Sequence, residues 1–261
     1  MTDPWRRTVV SMAMPFRVVI DTADHASAES AAHAFHGELE WADSVFSLWR
    51  EDSAVSQFNR GEIAVDEGPP ELLEVLQACE WYRGFTEGAF DARGAVGIDP
   101  TGLVKGWAVA RAVAALDALA APWMVDASGD VLVSGPRADG SPWRVGIADP
   151  RVQGDPNGRD VVDVVELGAD FLALATSGAA QRGAHIWDPE TGEAATHSLQ
   201  VSVVASGLVD ADVWATAIAA RGTPALELAA SSGIEALVVA RSRGDGSFDS
   251  TATGGWPSSI S

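Results

Sequence analysis

Apolar residues recur along this chain with two different periods, and the period changes part-way. Thr8 to Ile20 alternates and reads as a strand pair interrupted at Met14-Pro15. Ala26 to Phe46, rich in Ala and Glu, carries helical spacing. A second helix is predicted over Pro70 to Tyr82, with proline in the first turn, where a missing N–H has no consequence. Val109, Ala112, Val113, Leu116 and Leu119 make one stripe of a third helix, Val104 to Leu119. From Trp123 the texture turns to short strands separated by Gly, Asp and Pro: Trp123–Asp126, Asp130–Ser134 and Trp143–Ala148. Val161–Leu167, Phe171–Ala175 and Leu199–Ala205 follow. Ala211–Ala220 and Pro224–Ser231 read as helices, and Ala236–Ala240 as a last buried strand.

Helices grouped ahead of strands predict an α+β fold and not a regular βαβ alternation. Asp149 to Asp160 holds Pro, Gly and Asn and reads as an insertion between strands. No internal repeat is visible. The expected division is one domain over 1–241 and a Gly/Ser-rich tail over 242–261, loosely held, with a short strand near Phe248.

Composition narrows the function. Of the 261 residues 47% are hydrophobic, enough for a sizeable core. Lys plus Arg number 17 against 37 Asp plus Glu, a net charge of −20. Such a chain repels nucleic acid and anionic membrane. A polyanionic ligand would need a metal or a local cation to offset that field. The single cysteine, Cys79, lies in an apolar helical stretch with Leu72, Leu76 and Tyr82 and reads as core filler. One cysteine makes no internal disulfide. No apolar run approaches the roughly 18 residues of a membrane span. Arg6-Arg7 lacks the apolar region that a twin-arginine signal needs behind it, so a cytoplasmic location is expected.

Three segments carry candidate chemistry. The first runs from Gly94 to Trp107, with glycines on both sides of Asp99 and Lys105. It enters a helix whose first turn has free N–H groups, and Lys105 adds a cation, so it reads as a phosphate seat or as an ordinary Gly-rich turn with a surface lysine. In the second, Asp212 and Thr216 lie at i and i+4 on one helix face. A carboxylate beside a hydroxyl offers hard oxygen ligands that suit Mg²⁺. The same pair also fits a helix-capping aspartate with a buried threonine. The third joins Ser177-Gly178 to His185 and the Asp188-to-Gly192 turn. His185 can act as a base near neutral pH, or can simply bond a turn carbonyl. A Ser177–His185–Asp188 triad lacks the Gly-x-Ser-x-Gly elbow that would support it.

In order along the chain stand Met14-Pro15-Phe16, Ser47-Leu48-Trp49-Arg50 through Asn59, Gly88-Ala89-Phe90-Asp91 and Asp99 through Gly106. Ser128-Gly129-Asp130, Ser177-Gly178, His185 to Gly192 and Asp212 to Thr216 complete the series. Together these segments resemble the FAD:protein FMN transferase family, ApbE, from about Val9 to Ala240. The resemblance implies an α+β fold of mixed sheets with packed helices, related to the T-fold, with FAD in a cleft between two halves. It implies that Met14, Trp49, Ala89, Phe90, Asp91, Asp99 and Lys105 line the FAD site. It implies Mg²⁺ held by Asp212, Thr216 and the backbone oxygen of Gly102, and His185 near the pyrophosphate as the catalytic base. The implied activity is Mg²⁺-dependent transfer of FMN from FAD, through a phosphoester, to a threonine of an acceptor flavoprotein, with release of AMP. A metal-dependent FAD pyrophosphatase and a non-catalytic flavin-binding protein are the alternatives. Three positions depart from the family pattern. Pro15-Phe16 stands for Gly-Thr, Trp49 for Tyr, and Ser128 for the first Gly of Gly-Gly-Asp.

Overall fold

The computed structural model describes residues 3–94, 97–150, 160–178, 186–195, 198–241 and 248–260. The chain opens with a hairpin, β1 (Trp5–Ser11) and β2 (Met14–Ile20), with Ser11 paired to Met14. The turn falls on Met12 and Ala13, at φ +50° and +58°. Two left-handed residues suit a tight hairpin whose twist matches its strands. The break predicted at Met14-Pro15 therefore lies two residues earlier. Pro15 sits inside β2, where the next strand pairs only from Phe16 onward, so its missing N–H removes no bond on that side.

Helix α1 (His25–Phe46) is capped by the Asp24 side chain and buries Ala28, Ala32, Phe35, Leu39 and Ala42 along one face. A short α2 (Ala54–Asn59), which the apolar pattern does not announce, is capped by Ser53. Helix α3 (Pro70–Phe85) follows, then a minimal ladder of β3 (Arg93–Gly94) and β4 (Gly97–Ile98). The helix predicted over Val104–Leu119 starts earlier and is divided into α4 (Thr101–Ala112) and α5 (Ala114–Asp117).

Next come β5 (Trp123–Ala127), β6 (Asp130–Val133), β7 (Trp143–Ala148), β8 (Val161–Leu167), β9 (Ala173–Ser177) and β10 (Gln200–Ala205). Helices α6 (Leu208–Arg221) and α7 (Thr223–Ser231) precede β11 (Glu235–Arg241) and β12 (Phe248–Ala252). Among the described residues the main sheet has eight strands in the order β1-β2-β5-β6-β9-β10-β11-β12, and every pair is antiparallel.

Both faces of the sheet are covered. One face carries Phe16, Val18, Ile20, Val201 and Val203 against α1, α4 and α6. The other carries Val19, Val131, Val133 and Val204 against the β7–β8 hairpin, through Trp143, Ile147, Val165 and Leu167. Double coverage explains why β10 is buried at every residue, including the polar Gln200 and Ser202. The tail expected to be loose is docked where it is described. β12 pairs with β11, and Asp163 of β8 accepts hydrogen bonds from Trp256 Nε1 (2.8 Å) and Ser258 Oγ (2.7 Å). Among the described residues no helix is long and apolar enough to cross a membrane.

At Gly106, α4 packs tightly against the start of α6. A Cβ there would stand 2.9 Å from the Leu208 carbonyl oxygen, a backbone atom that cannot swing away. Gly106→Ala is expected to destabilise by about 1–3 kcal/mol through overpacking, read as a fall in the thermal midpoint by circular dichroism. An unchanged midpoint would show that the two helices can separate freely.

Candidate functional site

The β3–β4 ladder delivers the chain to α4. The Asn59 side chain clamps Ile98 at both backbone groups, accepting from its N–H and donating to its carbonyl, each at 2.8 Å. Gly97 lies at φ +132°, and a Cβ there would meet Asn59 Oδ1 at 2.6 Å, so only glycine fits beneath that amide. Asp99 Oδ1 then accepts from Thr101 N (3.0 Å) and Thr101 Oγ1 (2.6 Å), which starts α4 at Thr101.

One turn further along α4, Lys105 reaches between two buried carboxylates. Its ammonium contacts Asp130 Oδ2 and lies 3.4 Å from Asp212 Oδ1. Asp130 opens β6 and is 1% exposed. Its Oδ1 accepts from the backbone N–H of Thr176 on β9 at 2.9 Å. Asp212, on α6, accepts from Gly106 N–H at 3.2 Å through Oδ2. Burial pushes the Asp212 carboxyl above the ordinary carboxylate value; the Asp130 charge adds to the rise, and the Lys105 ammonium opposes it.

Thr216 stands one turn after Asp212, as predicted, and faces Gly102. A Cβ on Gly102 would come 3.3 Å from Thr216 Oγ1 and 3.2 Å from the Phe90 ring. The absent side chain thus leaves a cradle between the start of α4 and α6. Ser177 at the end of β9 adds a hydroxyl 3.5 Å from Thr216 Oγ1, and the Thr176 and Ser202 hydroxyls bond each other at 2.9 Å. A carboxylate, two hydroxyls and a helix-start carbonyl are hard oxygen donors, the set that suits Mg²⁺. Among the described residues no three His, Cys, Asp or Glu side chains form a metal cage, so an ion here would also draw on the threonine, the carbonyl and its own water.

The structure brings Gly102, Lys105, Asp212 and Thr216 together and treats the other predicted residues differently. Met14 packs partly buried against the main core. It adjoins Pro15, whose carbonyl accepts from Ser128 Oγ at 3.0 Å, so the Met14 segment borders the Ser128–Asp130 turn. Ala89 and Phe90, expected to line the flavin site, are core side chains at 4% and 3% exposure. Phe90 backs Gly102 and packs edge-on against Tyr82, so it shapes the floor and offers no ring face outward. Trp49 is 95% exposed between α1 and α2, with its ring open to solvent. His185 lies outside the described residues.

Asp91 accepts from Arg93 Nη2 (2.6 Å), Arg93 N–H (2.9 Å) and Arg83 Nε (3.2 Å). Burial would raise its carboxyl, but these hydrogen bonds and charges outweigh it and hold the group below its usual value. It edges a cavity of 140 Å³ with Phe58, Leu76, Cys79, Arg83 and Ile98. Burial, with help from the Asp99 and Asp91 charges, pushes the Cys79 thiol up to about 12, which agrees with core filler and not with a nucleophile.

Asp130 is the functional candidate that the site reading passed over. Its signal was the Gly-Asp turn followed by an apolar strand. An aspartate at the head of a strand buried on both faces needs a partner, and Lys105 is that partner.

A sequence profile of the ApbE family matches residues 8–96 and 92–238. The chain belongs to the ApbE family. An FAD:protein FMN transferase of Haemophilus influenzae is 28% identical over 155 residues, 55% of this chain and 43% of that protein. One of Vibrio cholerae is 31% identical over 135 residues, 48% of this chain and 39% of that protein. The chain therefore spans less than half the length of these curated relatives. The crystal structure of the Pseudomonas stutzeri flavinyl transferase ApbE shares the fold, with a TM-score of 0.80 at 23% identity over 96% of this chain and 94% of that one.

Against the ApbE pattern, Ser128 has a structural explanation. It lies at φ +56°, in the left-handed region where glycine is preferred, and its hydroxyl donates to the Pro15 carbonyl. Ser128→Ala keeps the strained backbone and deletes that bond. It is expected to destabilise by about 1 kcal/mol, whereas Ser128→Gly trades strain for the bond and stays near neutral. Chemical denaturation of the two variants checks the order; an Ala variant as stable as the Gly variant would remove the hydroxyl from the explanation.

Proposed function

We propose that the chain transfers the FMN half of FAD to a threonine hydroxyl of an acceptor flavoprotein and releases AMP, in a Mg²⁺-dependent reaction. The observation that carries this reading is the convergence of Asp212, Thr216, Gly102 and Lys105 at the start of α4. These are the metal and phosphate residues implied by the family pattern, and they meet although they are far apart in sequence.

Asp212, the Thr216 hydroxyl and the Gly102 carbonyl would hold the ion. Bound there, Mg²⁺ would neutralise charge on the diphosphate and favour the departure of AMP. The N-terminal end of α4 carries the positive end of the helix dipole, and Lys105 adds a cation one turn on, in a chain of net charge −20. The acceptor oxygen attacks the phosphorus on the flavin side. An oxygen–phosphorus bond forms there as the bond to the AMP oxygen breaks. His185 is our candidate for taking the hydroxyl proton. Catalysis of this type rests on position and charge. Exposed Trp49 supplies a ring on which a flavin or adenine can stack, and Asp99 stands at the start of α4 through its bonds to Thr101. On this reading the site lies within one domain, residues 1–241, acting in the cytoplasm.

The test combines FAD, Mg²⁺ and candidate acceptors, and reads covalent FMN on the acceptor by mass together with AMP. Transfer requires both products. Brisk AMP release with no acceptor present would identify a pyrophosphatase instead. Tight FAD binding with no AMP under any condition would identify a flavin-binding protein.

A further inference from the structure

Asp212 offers its two oxygens unequally. Oδ2 already accepts the Gly106 N–H, and Oδ1 faces the Lys105 ammonium at 3.4 Å. A divalent ion arriving at Asp212 therefore competes with that ammonium. Lysine is a point charge on a flexible stem, so where it settles depends on its other partners. Among the described residues a second carboxylate meets it, Asp130, which is fixed to the sheet through the Thr176 N–H and is in closer contact with the ammonium than Asp212 is.

We propose that Asp130 is a positioning residue for metal binding: it draws the Lys105 ammonium away from Asp212, leaving that carboxylate for a divalent cation. The inference rests on the metal reading of Asp212, Thr216 and Gly102. Asp130 touches neither the ion nor the substrate; it acts through Lys105. Among the described residues, the two carboxylates and the ammonium leave one negative charge in excess, which a divalent ion reverses. With Asp130 neutral, Lys105 and Asp212 close into a buried pair, and the ion must break it to enter.

Two simpler roles make different predictions. A purely structural Asp130, tying β6 to β9, would affect stability and leave metal affinity alone. An Asp130 acting by long-range charge would affect affinity equally whether or not Lys105 is present.

A double-mutant cycle separates these roles. Mn²⁺ binding is measured by calorimetry on the full chain for the unaltered protein, Asp130→Asn, Lys105→Met and the double variant, and Mg²⁺ is followed by the shift in thermal midpoint. Asp130→Asn keeps an oxygen for the Thr176 N–H. It is expected to weaken Mn²⁺ binding about tenfold when Lys105 is present and less than about threefold in the Lys105→Met background. Equal losses in both backgrounds, or no loss while the unaltered protein binds normally, would overturn the proposal. Failure of the unaltered protein to bind Mn²⁺ at millimolar concentration is a distinct result that removes the metal reading itself. Should circular dichroism show the Asn variant unfolded, Asp130→Ser runs the same cycle.

Discussion

Asp212→Ala is expected to lose transfer activity by about 10³-fold or more while keeping the fold. Removing a carboxylate that holds the ion deletes several kcal/mol of charge stabilisation, and each 1.4 kcal/mol or so is tenfold in rate. The structural consequences partly cancel. The variant leaves the Gly106 N–H without its side-chain acceptor and takes one partner from Lys105. It also removes a carboxylate whose burial disfavours its charged form. The midpoint in EDTA should therefore move little, by an amount equivalent to about 2 kcal/mol or less. The rise in midpoint that Mg²⁺ gives the unaltered protein should vanish. Asp212→Asn is the shape-preserving control, since it retains an acceptor for Gly106. AMP release and covalent FMN on an acceptor are the activity readouts. Full activity of the Ala variant in limiting Mg²⁺ would remove Asp212 from the mechanism.

The same pair shows what the sequence makes legible. Asp212 and Thr216 were readable because a helix repeats every 3.6 residues, and i with i+4 is a statement about one face. That Gly102 lies against Thr216 is not local information. It follows from α4 packing on α6 across Gly106, a contact between segments about a hundred residues apart. Strand order was hidden for the same reason: β6 pairs with β9 over the excursion of the β7–β8 hairpin. Long elements with a clear apolar stripe, such as α1, were predicted to within a residue at the start. Short α2 was missed because six residues carry too little periodicity, although its Ser53 cap was there to read. The Met14-Pro15 break was misplaced because proline usually marks a turn, whereas here two left-handed residues before it make the turn. The motif around Phe90 implies a ligand contact, and the structure buries its ring behind Gly102 and against Tyr82. Whether a motif residue faces a ligand or supports the residue that does depends on tertiary packing, and one sequence does not encode that separately.

Lys105→Met should be the most destabilising single change at this site when metal is absent. The methionine keeps the apolar stem and deletes the counter-charge, leaving Asp130 and Asp212 facing each other in a buried setting. Breaking a buried ion pair by removing one partner costs about 3–5 kcal/mol, a fall in thermal midpoint of roughly 10 °C for a domain of this size. The deficit should depend on pH with a definite sign. The folded Asp212 carboxyl already binds its proton more tightly than an unfolded carboxylate does, and loss of the ammonium raises it further. The folded state then holds more protons than the unfolded state, so stability falls as pH rises from the ordinary carboxylate value to the raised folded value. The variant should come closest to the unaltered protein in acid and fall furthest behind above neutrality. Mg²⁺ should recover part of the loss at high pH, because a divalent ion at Asp212 gives that carboxylate a counter-charge in place of the ammonium. Thermal midpoints taken across pH, in EDTA and in Mg²⁺, test each step. Midpoints that match the unaltered protein at every pH in EDTA would mean that the Lys105 ammonium does not hold these carboxylates together.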